Sequence, residues 1–385
     1  MAELKSTKMI DLLADGVSRK FASYYLEHAE AETHNSVYDQ QYVKWAHEHG
    51  FLAESAYAYG LNEDNLEDYL SDYDYYKVWP INNWSRIWVN DKLTLKLMLA
   101  DKELEGFMPE YYYYSFNNTL KPLGDTPYHD GDVFENFIRL LKEKKEFACK
   151  PCNGTASAGF VHIVFEENDS FLINGERTDS SGIKEFIVQN PNYIFTEYIR
   201  PSKQFARYSS SIHTLRVVVI NERGDNPIIV GGYLRLPSKC TGEANYVVFN
   251  DANIEKFNVL CDVDFETGEF NNAKKTFCDH IQDTEVHPDT GEKIAGKIEN
   301  YDELIKIIKY VSCKFSNLEY LGFDIGITDD GFKCMEINTH PGIKYMQIFK
   351  PFNKDTLLKK YFAKKIEDID ALDETAKSRR NEILR

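Results

Sequence analysis

The sequence predicts an α+β protein in which a small, mainly helical N-terminal domain precedes a mixed region of strands and helices. Three observations carry that expectation. Over residues 1 to about 75, Leu12, Leu13, Val17, Phe21, Tyr24 and Tyr25 fall near helical spacing, and no alternating strand pattern occurs. From about residue 85 onward, short helical runs and strand-like runs follow one another in mixed order. Near the C-terminus, Gly322–Gly326 and Cys334–Asn338 read as two apolar strands around the turn Thr328-Asp329-Asp330-Gly331, a hairpin. At 385 residues with 43% hydrophobic content, the chain can bury two or three cores. The boundaries expected are 1–84, 85–197 and 198–385.

Composition excludes several function classes. Sixty-two acids against 45 bases give a net charge of −17, which argues against a nucleic-acid or anionic-membrane partner and requires any polyphosphate ligand to find a local basic pocket. No apolar run reaches the length of a membrane span, and Met1 to Asp11 lacks the apolar stretch of a signal peptide, so the expected location is the cytoplasm. Seven scattered cysteines suit reduced thiols better than a disulfide framework. Cys149 and Cys152 form a CxxC, but no second pair stands at zinc spacing.

After the helical front, Asp91 to Leu97 opens a short helix with an Asn or Asp placed to cap it. An irregular stretch containing Tyr111 to Tyr114 follows, then a helix from about Asp132 to Lys145 and a strand from Glu146 to Lys150. The tyrosines read mostly as packing, with sugar stacking as the alternative. Next comes Lys150-Pro151-Cys152-Asn153-Gly154-Thr155-Ala156-Ser157-Ala158-Gly159, a loop of small residues before a strand at Phe160–Phe165. Small side chains let backbone N–H groups approach phosphate oxygens, and Lys150 supplies a point charge. It is not a P-loop, because GxxxxGK[ST] is absent and a strand follows. An ordinary hairpin turn would read the same way.

The strand Tyr193–Ile199 breaks at Arg200-Pro201, the pattern of a hinge between two lobes. Beyond it, Ser211–Ile220 and Ile228–Leu236 read as paired strands. Arg216 and Arg235 interrupt their apolar runs, and either an anionic ligand or an outward-facing position explains them. In the C-terminal hairpin, Asp324, Glu336 and Asn338 offer two carboxylates and an amide. Asn338 lies two residues after Glu336 and hence on the same face. Hard oxygen ligands of this kind suit a magnesium ion that also binds nucleotide phosphates, while a half-buried hairpin with solvated acids is the alternative. His340 follows two residues later. With an ordinary pKa near neutral it is a candidate base toward an incoming amine, against the commoner role of a loop histidine, and His213 is read in the same two ways. Pro237 to Asn253, with Gly242, Asn245 and Asn250, reads as a lid that excludes water or as a plain connection.

The order of these pieces resembles the ATP-grasp superfamily over roughly residues 85–350. It runs from the lysine-bearing helix start, through the lysine-plus-glycine loop, the Thr196-Glu197-Tyr198 hinge and the arginine strand, to the Asp then Glu-x-Asn hairpin. Val263–Gly268 and His287–Gly291 are similar to the branch associated with sugar transfer and surface polysaccharide gene sets. The resemblance implies an ATP-grasp fold of two α+β lobes that grip ATP. Lys92 and Lys150 would contact the phosphates, and the loop of Asn153, Gly154, Ser157 and Gly159 would cover them. Glu197 and Tyr198 would hold adenine and ribose, and Asp324, Glu336 and Asn338 would bind two magnesium ions, with manganese as an alternative. Arg216, and more loosely Arg235, would neutralise an acyl phosphate and the tetrahedral intermediate. The implied activity is a carboxylate–amine ligase acting on a small molecule or glycan precursor. A kinase acting on a hydroxyl and a non-catalytic nucleotide-binding module are the alternatives. The chain departs from many family ligases in opening with helices rather than an alternating strand-helix domain, and in standing Asn250-Asp251-Ala252 where paired glycines follow the lid asparagine.

Overall fold

The computed structural model describes residues 4–82, 84–154, 159–240 and 255–383. Its opening segment is helical, as expected: α1 (Met9–Ala14), α2 (Arg19–Thr33), α3 (Gln40–Glu48), α4 (Ala53–Tyr59) and α5 (Asp72–Lys77). The acidity of this segment has a structural use. Leu52 at the start of α4 has no side chain able to cap the helix. The Glu32 carboxylate instead accepts from the N–H groups of Ala53 and Glu54, and Asp72 accepts from Leu52 N–H and the Ser55 hydroxyl. Buried carboxylates thereby satisfy the donors that a helix N-terminus leaves open. Glu32 also bonds His47 at 2.7 Å. Burial pushes the Asp72 carboxyl up to about 7 against those hydrogen bonds, with Glu32 and Glu54 adding like charge.

The chain then runs through α6 (Ile87–Asn90), α7 (Lys92–Met98), β1 (Tyr111–Phe116), β2 (Thr119–Pro122), α8 (Val133–Lys144), β3 (Glu146–Pro151), β4 (Val161–Phe165), β5 (Phe171–Ile173), β6 (Glu176–Thr178), α9 (Ser180–Gln189), β7 (Tyr193–Glu197) and α10 (Lys203–Ala206). The strands form one antiparallel sheet in the order β2-β1-β7-β3-β4-β5-β6. β7 therefore lies between β1 and β3, with Lys150 of β3 opposite Ile194. The tyrosine run packs here. Tyr112 and Tyr113 share a core with Phe137, Phe147, Phe171 and Phe195, so these two are packing residues.

The remainder comprises β8 (Thr214–Ile220), β9 (Ile228–Leu236), β10 (Asn258–Val263), β11 (Glu269–Thr276), β12 (Ile281–Asp283), β13 (Gly296–Lys297), α11 (Tyr301–Lys314), β14 (Tyr320–Thr328), β15 (Gly331–Asn338), α12 (Lys344–Gln347), α13 (Thr356–Asp370) and α14 (Glu374–Arg379). The sheet order is β12-β11-β10-β9-β8, with β13 beside β11 and β14 following β8.

Where the sequence draws three consecutive segments, internal contacts draw two discontinuous units. One contains residues 1–87, 214–323 and 338–385; the other contains 88–213 and 324–337. The helical front is thus part of the first unit. Leu70, Tyr75 and Val78 share a core with Val218, Ile220, Val230, Tyr320 and Phe362. The chain passes from the second unit to the first at His213/Thr214, thirteen residues beyond Arg200.

Candidate active site

In the second unit, local structure brings two lysines and two carboxylates together. Asp91 caps α7 by accepting from Thr94 N–H at 2.8 Å, which fixes Lys92 as the first helical residue. Lys92 is buried, its N–H bonds Cys152 C=O at 3.0 Å, and its ammonium donates to Gly154 C=O at 2.8 Å. One residue thus pins both ends of the first turn of the small-residue loop. Asn153 is held by the Asn192 amide at 3.0 Å. Gly159 has φ +77°, and a Cβ there would meet the Tyr193 hydroxyl at 2.6 Å, so glycine is required. Ser157, with Thr155, Ala156 and Ala158, lies outside the described residues.

Lys150 projects from β3 into the same neighbourhood. Burial and the Lys92 charge lower its ammonium to about 8, opposed by Glu336 and by the Cys334 thiol. Two cations that act on one another in a chain this acidic make a local concentration of positive charge. Asp324 is 4% exposed, flanked by the buried Phe323 and Ile325, and Glu336 is half-buried on β15. Both act electrostatically on the buried Cys334, as does Lys150. The hairpin is pinned by Ser202 N–H to Ile327 C=O, Lys203 N–H to Asp329, and Cys334 N–H to Phe107 C=O.

These groups fit magnesium. Among the described residues no set of three or more His, Cys, Asp or Glu side chains is assembled for a metal. Two carboxylates, with Asn338 ending the same strand, leave the remaining positions to phosphate oxygens and water, which is how magnesium is commonly bound.

At the end of β7, the Glu197 carboxylate accepts from Glu110 N–H at 3.1 Å and pairs with Lys333 at 3.4 Å. Sequence reasoning missed Lys333, because a lone lysine on a hairpin strand reads as solvated; only the sheet reveals its partner. The Tyr198 ring stacks on His162 with centroids 3.9 Å apart and lies under Arg200. Its side chain therefore belongs to a packing cluster. His213 is fully buried beside Phe205 and Tyr208.

In the first unit, Arg216 is 6% exposed on β8, opposite Tyr233. A Cβ on Gly322 would lie 2.5 Å from Pro341, so the glycine leaves room for the proline ring beside Arg216. The Arg216 charge is felt by Tyr75 and Tyr320. Arg235 donates to the Tyr233 hydroxyl at 2.8 Å and stands over Tyr345. His340 is stacked on Tyr75 at 4.0 Å with Phe21 at its edge, and burial lowers it to about 3. An imidazole that holds a proton so weakly is a poor base for an ammonium at neutral pH, so the general-base expectation gives way to one of hydrogen bonding. Gly242, Asn245 and Asn250 of the expected lid lie outside the described residues.

The chain belongs to the ATP-grasp superfamily, in the branch described as sugar-transfer associated ATP-grasp, whose family model matches residues 76–367. Its fold is accordingly the ATP-grasp fold, with a helical region before the strand-rich part. Similar solved structures include the ATP-grasp ligase PsnB with a phosphomimetic variant of its minimal precursor, Mg and ADP (14% identity; 75% of this chain and 61% of that chain; TM-score 0.36). Others are D-alanyl-alanine synthetase A from Vibrio cholerae (12%; 74% and 66%; 0.40) and an L-amino acid ligase from Bacillus licheniformis (10%; 85% and 55%; 0.37). The chain spans less than two thirds of the length of each of these structures. No curated protein matches it.

Proposed function

We propose that the protein is an ATP- and magnesium-dependent carboxylate–amine ligase that activates a carboxylate as an acyl phosphate and forms an amide, acting in the cytoplasm on a surface-glycan precursor. The observation that carries this reading is the gathering of Lys92, Lys150, Asp324 and Glu336 in one unit. Lys92 and Lys150 bind the ATP phosphates, with Asn153, Gly154, Ser157 and Gly159 as the covering loop and Glu197 and the Tyr198 main chain as the nucleoside end. Magnesium ions held by Asp324, Glu336 and Asn338 supply charge that offsets the repulsion between two anions. Arg216 and Arg235 serve the oxyanion that develops when an amine attacks the activated carbonyl. Arg216 favours a ligase over a kinase, because transfer of phosphate to a hydroxyl makes no tetrahedral carbon.

The test is ADP and phosphate release by the purified protein, screened across acids, amines and sugars. Free phosphate that appears only with a carboxylate and an amine together supports the ligase; phosphate retained on a hydroxyl substrate refutes it. Glu336→Gln is expected to lower magnesium-dependent turnover by about a hundredfold or more, with the thermal midpoint moving by less than about 2 °C. Retained turnover would remove Glu336 from the metal site.

A further inference from the structure

Lys333 stands on β15 with its side chain only 12% exposed. A covered ammonium needs an acid to replace its lost hydration. The charge of Lys333 acts on Glu110, but the burial of that carboxyl is already outweighed by hydrogen bonds from the Tyr112 hydroxyl at 2.6 Å and the Lys144 ammonium at 2.8 Å, which hold it below its ordinary range. The acid that Lys333 meets directly is Glu197 at the end of β7, 3.4 Å away. All of these residues belong to the second unit.

Glu197 is held through one of its two oxygens. Its main-chain N–H donates to Glu110 C=O at 2.9 Å, and the Glu110 N–H donates in return to Oε2 of the Glu197 side chain at 3.1 Å. Lys333 pairs with that same Oε2. The other oxygen, Oε1, meets no hydrogen-bond donor or cation among the described residues, and the side chain is 31% exposed. A carboxylate accepts through both oxygens, so one that is bound through the first still offers the second to a donor from outside. The bond that carries a carboxylate turns over a broad, two-fold range, and a single N–H contact does little to stop it. An ammonium on the same oxygen decides which oxygen is presented.

We infer that Lys333 is a positioning residue: it holds Oε2 of Glu197 so that Oε1 accepts from a donor on the nucleoside of the bound nucleotide, either a ribose hydroxyl or the adenine amino group. This rests on the reading that Glu197 stands at the nucleoside end of an ATP site. Lys333 acts through Glu197 and contacts no nucleotide itself.

The test measures equilibrium binding of three nucleotides to the full chain in the presence of magnesium: ATP, its dideoxy analogue, which lacks the ribose hydroxyls, and ITP, in which an oxygen replaces the adenine amino group. The wild type is expected to hold ATP at least about tenfold more tightly than one of the two analogues, and the weaker analogue names the donor. Lys333→Gln is expected to weaken ATP about tenfold while that analogue stays within about twofold, so the preference collapses, and Lys333→Arg to restore it. The thermal midpoint of Lys333→Gln is expected to stay within about 3 °C of the wild type. A merely structural role would weaken all three nucleotides alike, and that result overturns the inference. Indifference of the wild type to both analogues, or a preference that survives Lys333→Gln, overturns it as well. A wild type that binds no ATP removes the nucleotide reading, and the inference falls with it.

Discussion

Arg216 illustrates how much a single buried charge depends on its surroundings. Its guanidinium sits on a buried strand, and its charge acts on the buried phenols of Tyr75 and Tyr320. Replacing it by alanine would confound a lost charge with a cavity in a closely packed strand, so Arg216→Lys is the cleaner probe. That variant keeps one positive charge and loses the planar fork. Product formation is expected to fall by about thirtyfold or more with ATP affinity within about twofold, read by product assay and equilibrium nucleotide binding. Equal losses in both would make Arg216 a simple phosphate ligand.

At the scale of elements, side chains that cap or bridge decide where strands and helices end. Asn82 is 2% exposed; its amide donates to the carbonyls of Tyr320 and Thr339, and its oxygen accepts from Glu319 and Tyr320 N–H. It thereby ties the start of β14 to the residue that follows β15. Asn82→Ala is expected to cost about 2–4 kcal/mol in denaturant unfolding, because four hydrogen bonds and a packed volume go together. Asp72 gives a pH signature. Its carboxyl is raised to about 7 by burial, so the stability it contributes is full below about 4 and is lost as pH rises through about 7. Asp72→Asn, which stays uncharged, should therefore gain relative to the wild type between pH 5 and pH 8. Thermal midpoints of both proteins at the two pH values check this, and a constant difference would mean that Asp72 titrates as an ordinary surface acid.

For the molecule as a whole, the helical front is a structural part of the first unit. Leu70, Tyr75 and Val78 lie in one core with residues of β8, β9, β14 and α13. A chain lacking residues 1–75 is expected to lose the cooperative unfolding of that unit, seen as a missing calorimetric transition, since it would expose an apolar core face. An unchanged transition would make the front an appendage. No helix among the described residues is long and apolar enough to cross a membrane. The net charge of −17 makes the basic clusters local exceptions. Lys92 and Lys150 in the second unit, whose charges act on one another, therefore stand out against an acidic background.

Much of this was legible in the order of residues alone. Asp91 before Lys92, the small residues after Lys150, and Asp324 and Glu336 on either side of a two-residue turn are local patterns, and local backbone chemistry determines a cap, a tight loop and a hairpin wherever they occur. Family membership followed from the sequence of those patterns. What tertiary structure alone decided are relations between residues far apart in the chain: Lys333 against Glu197, Asn82 across Tyr320 and Thr339, Lys20 near His340. It also reversed the expectation for His340, whose ordinary pKa near neutral holds in water but not between Tyr75 and Phe21. The physical reason is the same in each case. A pattern along the chain reports conformation, whereas desolvation and the charge of a distant neighbour set what a side chain can do, and both depend on how the chain has folded.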